Sequence, residues 1–68
     1  MSSQEMKDVV ASGMSLEITE RIHKALFLEL VKSAGKSGAS ITVSASIVPP
    51  AWLEEAALIA PKQITVKQ

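Results

Sequence analysis

Three stretches of this 68-residue chain agree on an α+β fold. Apolar residues recur every four positions over 15–34, apolar and polar residues alternate strictly over 40–48, and a shorter alternation returns over 63–67. A four-residue recurrence builds one apolar helix stripe, and a two-residue recurrence builds a strand with one buried face. The expected order is one long amphipathic helix, then strand, helix and strand, the two strands forming a small sheet.

Residues 1–14 (MSSQEMKDVVASGM) are expected to be an N-terminal tail or a short helix, ahead of a single small domain over 15–68. Ser2 and Glu5 have the spacing of a capping box, Met6, Val9, Val10 and Met14 fall at roughly helical intervals, and Gly13 breaks the pattern. The long helix rests on Ile18, Ile22, Leu26 and Leu30, flanked by Ala25, Phe27, Val31 and Ala34. Ser15 suits its N-cap and Gly35 its left-handed C-terminal residue. Glu17 with Arg21 and Glu20 with Lys24 are i,i+4 pairs in the favourable orientation, each contributing about 0.2–0.5 kcal/mol. From Ala25 to Val31 only Glu29 is polar, and Leu28 falls on the side of Arg21, Lys24 and Lys32. A helix so nearly apolar all round is covered on more than one side.

In the strand 40–48, Ile41, Val43, Ala45 and Ile47 share one face and Ser40, Thr42, Ser44 and Ser46 the other. Pro49-Pro50 ends it, and Pro50 fits the first position of a second helix over 51–60, with Glu54 and Glu55 near its positive end. Pro61 stops that helix. The last strand turns Ile64 and Val66 inward. About 15 residues separate the strand centres, enough for a parallel crossover, while a looser return would make the pair antiparallel.

The composition bounds what this fold can do. There is no Cys, so neither a disulfide nor a thiolate zinc site is available. Hydrophobic residues make up 47% and mean hydropathy is +0.26, yet the only aromatic residues are Phe27 and Trp52, so the core is aliphatic. A chain of this size buries only about 60% of its unfolded surface, which leaves apolar surface over for an interface. Seven basic residues, with Arg21 the single Arg, balance seven acidic ones, and no clustered basic face for nucleic acid is apparent. No run reaches the ~18 apolar residues of a membrane span, and the N-terminal region lacks the pattern of a signal peptide, which makes a cytoplasmic location the expectation.

No motif carries catalysis, a cofactor or a metal. Gly35-Lys36-Ser37 matches the tail of a phosphate-binding loop, but the earlier Gly that such a loop needs is Leu30, within the helix pattern. His23 is the single His, with Glu20 one helical turn away, a spacing that serves a solvated contact as well as an acid–base pair. Glu54 and Glu55 are adjacent and diverge by about 100° on a helix, which suits helix stabilisation better than hydrolysis.

What remains is an interaction surface. The strand 40–48 has no charge or internal Pro to protect its edges, and a two-stranded sheet is marginal alone. The expected function is a small non-enzymatic protein-interaction or assembly module, an adaptor, inhibitor or subunit, in which a second copy or another protein extends the sheet. Thr42, Ser44 and Ser46 on that strand, Leu28 on the helix and Trp52 beside the prolines are the candidate interface residues, although Trp52 suits a core plug better than an exposed anchor in a chain with so few large residues. The alternative is a dimeric nucleic-acid-binding regulator that pools Lys32, Lys36, Lys62 and Lys67 from two copies, disfavoured by the charge balance and the scarcity of aromatic residues.

Overall fold

The computed structural model describes residues 2–68; Met1, the first residue of the expected tail, lies outside them. Among the described residues the chain forms three helices, a short 3-10 turn at Pro61–Gln63 and three strands. Helix α1 spans Ser3–Ala11 and starts on the capping box: the Glu5 N–H donates to Ser2 Oγ at 3.2 Å, and the Ser2 N–H donates to Glu5 Oε1 at 3.1 Å. Its inner face buries Met6 and Val10, which makes α1 part of the core.

The expected long helix over 15–34 is two elements instead. Strand β1 (Leu16–Ile18) occupies its start, and helix α2 (Lys24–Ser37) begins nine residues later than the pattern suggests. Leu16 and Ile18 alternate with exposed Glu17, and pairing with another strand overrides a periodicity in which Ile18 only coincidentally precedes Ile22, Leu26 and Leu30. The α2 N-cap is His23, without a side-chain cap, and the left-handed C-cap is Gly38 at φ 83° in place of Gly35. The anticipated i,i+4 pairs are absent as well. Glu17 meets Lys67 at 3.0 Å, and Lys24 meets Glu55 at 3.1 Å.

The strand expected over 40–48 is shorter, β2 (Ile41–Ser44), and Ala45 and Ile47 fall in the turn that follows. Helix α3 (Pro50–Ile59) has Pro50 in its first turn, and the chain ends in β3 (Ile64–Lys67). The sheet has three strands in the order β1-β2-β3, all parallel, where two strands were expected. Its register sets Leu16, Ile41 and Ile64 in one row and Ile18, Val43 and Val66 in the next.

The two crossovers step in the same direction across the sheet, and α2 and α3 pack against each other, as two crossovers of the usual right-handed sense require when their helices share one face. Helix α2 packs against both α1 and α3, which accounts for its nearly continuous apolar surface. The core lies between these helices and the row Leu16, Ile18, Ile41 and Val43, with Phe27, Leu30, Val31 and Ala34 fully buried on α2. Gly35 lets α2 approach the end of α3, since a Cβ there would stand 3.3 Å from the Ala60 Cβ. The other sheet face carries Glu17, Thr42, Ser44, Thr65 and Lys67 and, among the described residues, has no helix over it, an unusual arrangement for a parallel sheet.

Candidate functional site

Two features of this architecture stand out as sites. The first is a cleft of about 390 Å³ at the C-terminal ends of β1 and β2, where ligands commonly bind in parallel sheets. One wall is Arg21 and Ile22 from the loop entering α2; the other is the turn from Ala45 to Pro49 with the start of α3. Trp52 lines it from the first turn of α3 and stacks on buried Phe27, ring centroids 6.1 Å apart and 30° between planes. One half-buried residue therefore serves the core and the cleft together. The Ser46 hydroxyl is hydrogen-bonded to that of Ser44 at 2.8 Å, which orders the turn.

Its chemistry is limited. The lining offers one guanidinium, hydroxyl groups and apolar surface, with no carboxylate or imidazole beside them to act as acid or base. Arg21 makes no ion pair among the described residues. His23 is exposed at the start of α2 and outside the lining. Among the described residues no three of His, Asp and Glu gather in a way that could hold a metal ion.

The second feature is the sheet edge at β3. The Ala45 N–H donates to the Lys67 carbonyl at 2.8 Å, so Lys67, and Thr65 two residues before it, turn their backbone groups towards β2. Ile64 and Val66, which alternate with them along β3, turn theirs outward. Val66 is 43% exposed although it shares the covered face of the sheet, because α3 leaves β3 largely uncovered. Helix α3 bears charge only at Glu54 and Glu55, yet buries only Ala56; Leu58 is 88% exposed and Ile59 37%.

The structure separates the residues anticipated as interface. Thr42 and Ser44 belong to the central strand, whose two edges are already taken by β1 and β3, so the expected assembly edge on 40–48 does not exist. Ser46 and Trp52 meet in the cleft. Leu28 is half-buried and packs against the core instead of standing on a free face. Of the lysines weighed for nucleic acid, Lys67 is held by Glu17, whereas Lys32, Lys36 and Lys62 make no ion pair among the described residues. The edge at β3 escaped the sequence because strand order depends on pairing partners about 25 residues apart. Its only signal was the apolar alternation over 63–67. Among the described residues no helix is long and apolar enough to cross a membrane. Comparison with protein-family models, with curated proteins and with solved structures finds no match to this chain.

Proposed function

We propose that this chain is a small non-catalytic protein-interaction module that works by assembling into a larger complex, with copies of itself and with another protein. The observation that carries the proposal is the amount of large apolar side chain left exposed, with Leu58 88%, Met14 57%, Val66 43% and Ile59 37% exposed in a chain of only 68 residues. So much exposed apolar surface on so small a domain suits an interaction role. The cleft supports the same reading, since Arg21, Trp52 and the prolines suit binding a partner segment better than moving a proton.

Sedimentation equilibrium of the purified chain, and its use as bait in an extract of its native source, test this. The expected result is reversible self-association or a companion protein bound at fixed stoichiometry. A 7.2 kDa monomer that acquires no stoichiometric companion would sink the proposal. Co-purification of a nucleic acid in a salt-resistant complex would favour the regulator instead.

A further inference from the structure

Building on the assembly reading, we infer that the partner at the β3 edge is a second copy of this chain, joined by antiparallel β3–β3 pairing about a two-fold axis through Thr65. Only Ile64 and Val66 direct their backbone groups outward; the register leaves the Val66 N–H without a partner in the sheet, and the Ile64 N–H lies at the end of the 3-10 turn Pro61–Gln63, from which strand pairing must draw it. In a register centred on Thr65, Ile64 of each copy faces Val66 of the other, and each such pair exchanges two backbone hydrogen bonds. Four outward groups on one copy thereby meet four on the other, which an isologous interface requires.

The side chains fit the same register. Ile64 and Val66 are apolar and β-branched, a favourable cross-strand pair, and they extend the partly exposed apolar row of the helix-covered face. Thr65 meets Thr65 of the second copy on the polar face. Lys67, the one charge on β3, stands opposite Gln63, so no like charges face each other. Edge strands are commonly protected by a lysine projecting at the edge. Here Lys67 reaches back across β2 to Glu17 on β1 at 3.0 Å and leaves its own edge unguarded. The opposite edge is protected: β1 has three residues, and a self-pairing centred on it would set Glu17 against Glu17. With four residues a side, this pairing lies at the small end of interface sizes, so a weak, reversible association that depends on concentration is expected.

The absence of cysteine makes a direct test clean. Residues at a non-hydrogen-bonded antiparallel position have Cα atoms about 4.5 Å apart, within the span of a disulfide. Under copper phenanthroline oxidation, Thr65→Cys is expected to form covalent dimers at least tenfold faster than Thr42→Cys on the central strand or Glu17→Cys on the other edge. Light scattering over rising concentration should move the wild type from 7.2 kDa towards twice that mass. Val66→Pro removes only an outward N–H and should remain folded by circular dichroism but monomeric. Self-association that persists in Val66→Pro, or faster cross-linking at Glu17→Cys, would overturn the β3 edge and leave the assembly reading standing. A wild-type monomer at every concentration, with all three cysteine variants equally slow, would overturn self-pairing and leave assembly to rest on capture of another protein.

Discussion

Ser37 ties two helix ends together with one hydroxyl, which donates to the Val10 carbonyl at the end of α1 and accepts from the Ala39 N–H. Replacing it with Ala removes both of these bonds, although the Val10 carbonyl keeps the Gly13 N–H at 3.1 Å, so Ser37→Ala is expected to cost about 1 kcal/mol. A lower urea midpoint at unchanged slope would register that loss. The sequence shows Ser37 only as the end of Gly35-Lys36-Ser37, because its partner lies 27 residues away. Glu5 was more legible, since both halves of the capping box lie within one helical turn. Its carboxyl is held below the ordinary value of 4.5, first by the Ser2 backbone N–H and then by the Ser2 hydroxyl. A group whose folded-state pKa is lowered stabilises the fold above its unfolded pKa, and that contribution is lost as pH falls through the folded one. Helicity of α1 should therefore decline as pH drops from 4.5 into the acid range, and Glu5→Gln, which removes the titrating carboxylate, should abolish this contribution to the pH dependence. Circular dichroism across that range distinguishes the two proteins.

Helix α3 was legible almost to the residue because Pro49, Pro50 and Pro61 bracket it, and proline acts through local backbone geometry. Strand β1 was not, because three residues cannot display their own period inside a longer apolar pattern, and its pairing with β2 is a long-range choice. The error propagated to the interface, since Thr42 and Ser44 have a free edge only while β1 is read as helix. The sides of α3 differ in a way that mutation can separate. Leu58→Glu alters a side chain 88% exposed and should shift stability by less than about 0.5 kcal/mol, whereas Ala56→Glu places a carboxylate at a fully buried position and should unfold the chain. The α2–α3 contact depends on Gly35 in the same way. Alanine there gains helix propensity of up to about 1 kcal/mol against a tight contact with Ala60, and the net change should be small. Gly35→Leu keeps the same tight Cβ contact with Ala60 and adds bulk at the rim of the α2–α3 seam, so thermal melts should show it less stable than Gly35→Ala.

At the scale of the whole molecule, helices cover one face of a three-stranded parallel sheet and little beyond two of its strands. So small a core, with no disulfide, yields limited stability alone. The three ion pairs add little, because Lys67–Glu17, Lys24–Glu55 and Lys7–Glu29 are all well exposed and such pairs contribute about 0–1 kcal/mol each. Pairing at β3 would place the weakest strand of the sheet between two neighbours, coupling dimerisation to folding. Anything that binds the folded state alone raises the melting temperature with concentration. Once most of the chain is dimeric, each tenfold rise in concentration adds about 0.7 kcal/mol per protomer, or about 3–5 °C for a domain of this size. Trp52 is the single Trp, stacked on Phe27 between the core and the cleft, so its fluorescence reports the loss of packing. The wild type should melt at temperatures that rise with concentration, with Trp52 fluorescence and far-ultraviolet circular dichroism in step. Val66→Pro should melt at one temperature throughout. Thr65→Pro lies one residue earlier but removes an N–H directed towards β2, so it should lower the melting temperature at every concentration. The opposite behaviour of these adjacent prolines follows only if Val66 faces a second copy and Thr65 faces the protomer's own sheet.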